Sequence, residues 1–132
     1  MLAGAPGDDS GAGRAFLLRG GASGLSAAGA VAYVEGAGGV PGTREAGDRF
    51  GSAVTVSDLT GDGVADLGIG AEGENAGDGT IMALSAGAGA AYGPTALGSP
   101  AGTGIGGRPN DWPGDVQHTR ATSDVCRWST AE

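Results

Sequence analysis

The chain has 132 residues, 30 of them glycine and 6 proline, with a formal net charge of -8. Glycine and proline together make about 27% of it, and Leu, Ile, Val and Phe only about 16%, a composition that struggles to offset the entropy of ordering. It has no apolar run of about 18 residues to span a membrane, its 7 basic residues against 15 acidic ones lack the footprint of a nucleic-acid binder, and glycine does not recur every third residue as in collagen.

Along the chain, the first residues carry no basic and apolar signal-peptide pattern. Gly4, Gly7, Gly11 and Gly13 return 66 positions later as Gly70, Gly73, Gly77 and Gly79, with acidic Asp8 meeting Glu74 and Leu18 meeting Leu84. A shared spacing with acidic and apolar positions in phase reads as an internal repeat, with at most two units. Residues 14–18, 31–34 and 80–84 are short apolar strands. Residues 50–57 form a strand with period-two alternation, and residues 66–71 a second one. In the latter Leu67 and Ile69 share a face, and the bare Gly68 and Gly70 let another backbone come close. A helix over 83–91 is opposed by Gly87 and Gly89. Gly102-Thr103-Gly104-Ile105-Gly106-Gly107 follows no strand and opens no helix, so it is not a dinucleotide loop.

A third unit is not found: adding 66 to Phe50-Gly51 gives Val116-Gln117. Residues 107–132 hold both tryptophans, the only histidine (His118) and the only cysteine (Cys126). They read as an unrelated, disordered tail, and His118, Asp124 and Cys126 have no metal or nucleophile spacing. A lone cysteine also excludes an internal disulfide.

The feature that carries chemistry is Asp58-Leu59-Thr60-Gly61-Asp62-Gly63-Val64-Ala65-Asp66. Oxygen-bearing side chains stand at relative positions 1, 3, 5 and 9, glycine at the sharp turn of position 6, and the Val64 carbonyl at position 7. Short loops wrap hard oxygen donors around Ca2+ with this spacing. An EF-hand is ruled out: Ile69 stands where its bidentate Glu belongs, and the flanks are strands. Glu72, Glu74 and Asp78, and the pair Asp8 and Asp9, suit either a second cation site or, as the plainer reading, solvated loop charge.

Phe50-Gly51-Ser52-Ala53-Val54, the aspartate loop, and Asp66-Leu67-Gly68-Ile69-Gly70-Ala71 together resemble the FG-GAP repeat, which builds the β-propeller of integrin α subunits and of bacterial secreted proteins. Gly4-Ala5-Pro6-Gly7 is similar to the GAP half of a preceding repeat, and Ile105-Gly106 has the outline of a decayed FG pair, given little weight. The resemblance implies an all-β fold of antiparallel four-stranded propeller blades, about one and a half to two of them. Residues 1–46 are then the C-terminal part of one blade, and 47–106 a second blade with the calcium loop. It implies Ca2+ held by Asp58, Thr60, Asp62, the Val64 backbone and Asp66, and an extracellular, non-catalytic module for adhesion or protein interaction. The partners implied are the calcium ion and a protein or cell-surface ligand bound through the complete propeller. The alternative is an accessory propeller domain of a secreted hydrolase. Thr60 stands where the family more often has Asn or Asp, Glu72 replaces the proline of GAP, and a seven-bladed propeller needs more than three times this length.

Overall fold

The computed structural model describes residues 1–86, 88–100 and 104–106, which form mainly strand. A first antiparallel sheet has the order β1 (Leu2–Ala5), β2 (Arg14–Gly21), β3 (Gly24–Tyr33). A second has β4 (Phe50–Ser57), β5 (Asp66–Ala71), β6 (Thr80–Ser85) and β7 (Ala88–Tyr92), each strand paired with the next in sequence. Single helical turns, α1 (Asp8–Gly11) and α2 (Glu74–Gly77), join β1 to β2 and β5 to β6, and a 3-10 turn, Pro94–Leu97, follows β7. No helix among the described residues is long and apolar enough to cross a membrane.

The all-β expectation holds at this level, and β4 and β5 begin and end where the alternation placed them. Residues 88–92 are strand, and the helix that the glycines opposed is not formed there. The first sheet holds more strand than its sequence suggests. β1 was legible only as part of a glycine motif, and β3 starts at Gly24 rather than near Val31. Most of β3 is small and exposed, so it shows no apolar period; its tight pairing with β2 (Gly21 opposite Gly24, Arg19 opposite Ser26) makes it a strand. The expected tail, 107–132, lies outside the described residues.

The 66-residue repeat is visible in the backbone. Asp9 and Ser10 take positive φ (48 and 59), as do Asn75 and Ala76 (53 and 59). Gly13 donates to the carbonyl of Asp8 at 2.9 Å, and Gly79 to that of Glu74 at 2.9 Å. Such left-handed backbone is costly outside glycine, so its recurrence at matched places marks one turn used twice.

The sheets meet at Phe50-Gly51. Phe50 is fully buried in a core with Ile69, Met82, Ala15, Leu67 and Leu84. Its N–H donates to the carbonyl of Ala12 at 3.1 Å, and it forms a parallel bridge with Gly13 of the first sheet. β4 breaks register with β5 between Phe50 and Ala53, where Gly51 takes a φ of 90. That bulge brings Gly51 against the bare Cα of Gly4. A β-carbon on Gly4 would fall 2.9 Å from the Gly51 carbonyl carbon.

Ile105-Gly106 repeats this contact one sheet on. Ile105 bridges Gly79 in parallel and donates to the carbonyl of Asp78 at 3.1 Å. Gly106 lies over Gly70, where a β-carbon would come within 2.7 Å of its carbonyl carbon. The buried Ser52 hydroxyl reaches the Gly106 carbonyl at 2.8 Å and the Gly70 carbonyl at 3.1 Å. The pair therefore has a clear structural role, contrary to the small weight its sequence attracts. A fixed shift of 66 misses it because the connection from Gly79 to Ile105 is shorter than that from Gly13 to Phe50.

Candidate metal centre

The loop between β4 and β5 is a hairpin connection closed by its own carboxylates. Asp58 Oδ1 accepts the N–H groups of Gly61 (2.6 Å) and Asp62 (3.2 Å), and its Oδ2 that of Gly63 (2.9 Å). Asp62 Oδ1 accepts from Val64 at 2.8 Å. Asp66 Oδ2 takes the N–H groups of Leu59 (2.8 Å) and Thr60 (3.0 Å) from across the loop. Gly61 and Gly63 take φ of 78 and 84, the left-handed region that lets so short a segment fold back.

Asp66 is the buried member of the loop, and its Oδ1 is buried with no hydrogen-bond partner. The Ser85 side chain most strongly holds its carboxyl below the usual carboxylate range; burial opposes this, and the Leu59 and Thr60 N–H groups reinforce it. A spare oxygen on an ionised, buried carboxylate, together with exposed Thr60, Asp62 and Val64, leaves hard donors for a Ca2+ ion. The loop fits the ion by donor type.

The acidic side chains that converge most closely among the described residues lie elsewhere. Glu35, just after β3, Asp48, just before β4, and Glu74, opening α2, are all buried, each offering a carboxylate oxygen within 4.8 Å of the others. This cluster could hold a metal ion. Asp48 Oδ2 accepts the Glu45 N–H at 2.5 Å, and the Asp48 carbonyl takes the Gly73 N–H at 2.9 Å, which draws the segment between the sheets onto α2. Burial, then the negative charges of Glu74 and Asp48, push the Glu35 carboxyl up to about 8. Burial, then the Asp48 charge, likewise raises Glu74.

Glu74 is thus corrected: it is a buried group and not solvated loop charge. The other acids of that set are not gathered with it. Asp8 pairs with Arg14 at 3.1 Å, Asp9 with Arg44 and Glu72 with Arg49. Sequence reasoning did not single out Glu35 or Asp48. Asp48 draws notice only within Gly47-Asp48-Arg49, which resembles the lead-in of the repeat, and Glu35 not at all; their meeting depends on the path of residues 34–49. His118, Asp124 and Cys126 lie outside the described residues. Comparison with models of known families, with curated proteins and with solved structures finds no match to the chain.

Proposed function

We propose that the chain is part of a calcium-binding FG-GAP β-propeller, a non-catalytic secreted module for adhesion or protein interaction. The observation that carries this reading is the repeated packing of an aromatic- or aliphatic-glycine pair on a preceding Gly-Ala strand end. Phe50-Gly51 lies on Gly4-Ala5, and Ile105-Gly106 lies on Gly70-Ala71. Side-by-side antiparallel meanders joined in this way suit propeller blades, β4–β7 making one blade and β1–β3 most of another. Asp58, Thr60, Asp62, the Val64 carbonyl and Asp66 would hold Ca2+, which supplies charge neutralisation to the hairpin loop.

Calcium titration with melting curves tests the reading. For a Kd of about 10-4 M, about 1 mM Ca2+ stabilises by about 1.4 kcal/mol. Asp62→Ala should remove one bound equivalent and that much of the calcium-dependent stability. An Asp62→Ala chain with the full wild-type calcium response would overturn it.

A further inference from the structure

We propose that Glu35, Asp48 and Glu74 form a second cation site, separate from the 58–66 loop, that takes a hard divalent ion, Ca2+, and fastens the inter-sheet segment to α2. The three residues are 3%, 3% and 8% exposed, and their ligand atoms share an envelope of 4.8 Å. An independent observation points to a ligand. Both oxygens of Glu35 and Oε2 of Glu74 are buried and receive no N–H or hydroxyl donor; the groups within reach of Glu35 are the carboxyls of Glu74 and Asp48, acceptors that can pair with it only through a shared proton or a cation. Buried carboxylates are ordinarily paired, hydrogen-bonded or bound to a metal, because desolvation without compensation costs several kcal/mol. The charges acting on Glu35 are those of Glu74 and Asp48, both negative, and Glu45 adds a third beside Glu74. Among the described residues the ion-paired arginines are committed elsewhere, Arg14 to Asp8, Arg44 to Asp9 and Arg49 to Glu72, so a cation from solution would fill the role.

The donors choose the ion. All are carboxylate oxygens, which excludes the nitrogen and sulfur preference of Zn2+. Ca2+ takes six to eight oxygens in a flexible arrangement, which suits three carboxylates brought together by separate segments, whereas Mg2+ demands a near-ideal octahedron and keeps several of its waters. Two of the residues bracket the connection between the sheets, and the third opens the turn of the second sheet. An ion shared among them would fix that connection. Gly42 lies against Glu35 Oε1, with a β-carbon there falling 3.1 Å away, so the connecting segment closes over the site.

The test uses the full chain, with Ca2+ as the probe, in titration calorimetry and in melts with Ca2+ or EDTA. Asp62→Ala, which disables the loop, should still bind one equivalent and still melt higher in Ca2+. Adding Glu35→Gln should weaken that remaining binding at least tenfold. In EDTA the Glu35→Gln chain should melt at or above its parent, because a buried carboxyl that folding must keep protonated is gone, which shows that it folds. Two results overturn the site: an Asp62→Ala chain with identical melts in Ca2+ and EDTA, where a shared proton alone neutralises the cluster, or a double variant that binds as tightly as Asp62→Ala. The first leaves the loop reading standing. Failure of the loop reading looks different, with Asp62→Ala losing nothing.

Discussion

Gly7 and Gly73 occupy the same place in the repeat, yet alanine should act on them in opposite directions. Their backbones match, with φ, ψ of -87, -3 and -88, -9, and both conformations suit alanine without strain. Space is what differs. A β-carbon on Gly7 meets nothing within 4 Å, whereas one on Gly73 overlaps the Gly47 carbonyl oxygen and falls 2.9 Å from its carbon and 3.2 Å from the Asp48 carbonyl carbon. These neighbours are backbone, so the segment must move as a unit. Overpacking of this kind costs about 1–3 kcal/mol. Displacement also endangers the bond from the Gly73 N–H to the Asp48 carbonyl, worth about 1 kcal/mol. Gly73→Ala should therefore destabilise by about 2–4 kcal/mol, a fall in melting midpoint on the order of 10 °C for a chain of this size. Gly7→Ala should be neutral or stabilise by up to about 1 kcal/mol, through the lowered entropy of the unfolded chain. Urea and thermal denaturation followed by circular dichroism measure both. Equal midpoints for the two variants would refute the argument that the inter-sheet segment is pressed onto the α2 turn.

Phe50→Ala should cost about 3–5 kcal/mol, since it empties the contact between the sheets; calcium binding at the loop is too weak to restore that, so the variant should melt far lower even at saturating Ca2+. In EDTA, stability should fall as pH rises from about 4.5 towards 8. Glu35, raised to about 8, keeps a proton in the folded state that the unfolded chain has already released, and Glu74 shifts in the same direction. Sharing between the two limits the loss to a few kcal/mol. Asp66, lowered, adds an acid limb: its contribution is present above the ordinary carboxylate pKa of 3.8 and is lost as pH falls through its folded value. A flat profile between pH 5 and 8, or one that Glu35→Gln leaves unchanged, would contradict the burial assigned to the cluster.

Local chemistry was sufficient for the hairpin from Phe50 to Ala71. Alternation marked both strands, and the spacing of aspartates and glycines marked the loop between them, because each depends on neighbours a few residues away. The same holds for part of the 66-residue repeat: Gly11 and Gly77, and Gly13 and Gly79, keep their offsets because they take positive φ at the end of the α1 and α2 turns and just after them. The exposed β3 was less legible, since a solvated strand of alanine, glycine and serine has no apolar face to reveal its period.

The glycine-rich composition settled less than its size suggests, and what it settled is local: which residues can turn, and where two backbones can touch. Tertiary structure alone decided that Ile105-Gly106 stands over Gly70 as Phe50-Gly51 stands over Gly4, because the connecting segments differ in length and no constant offset joins them. It also decided the fate of the acidic residues. Asp8 and Glu74 share a repeat position, but Asp8 faces Arg14 while Glu74 is covered by residues 34–49 beside Glu35 and Asp48. The physical reason is that charge is set by the residue, whereas its desolvation is set by whatever the rest of the chain lays over it.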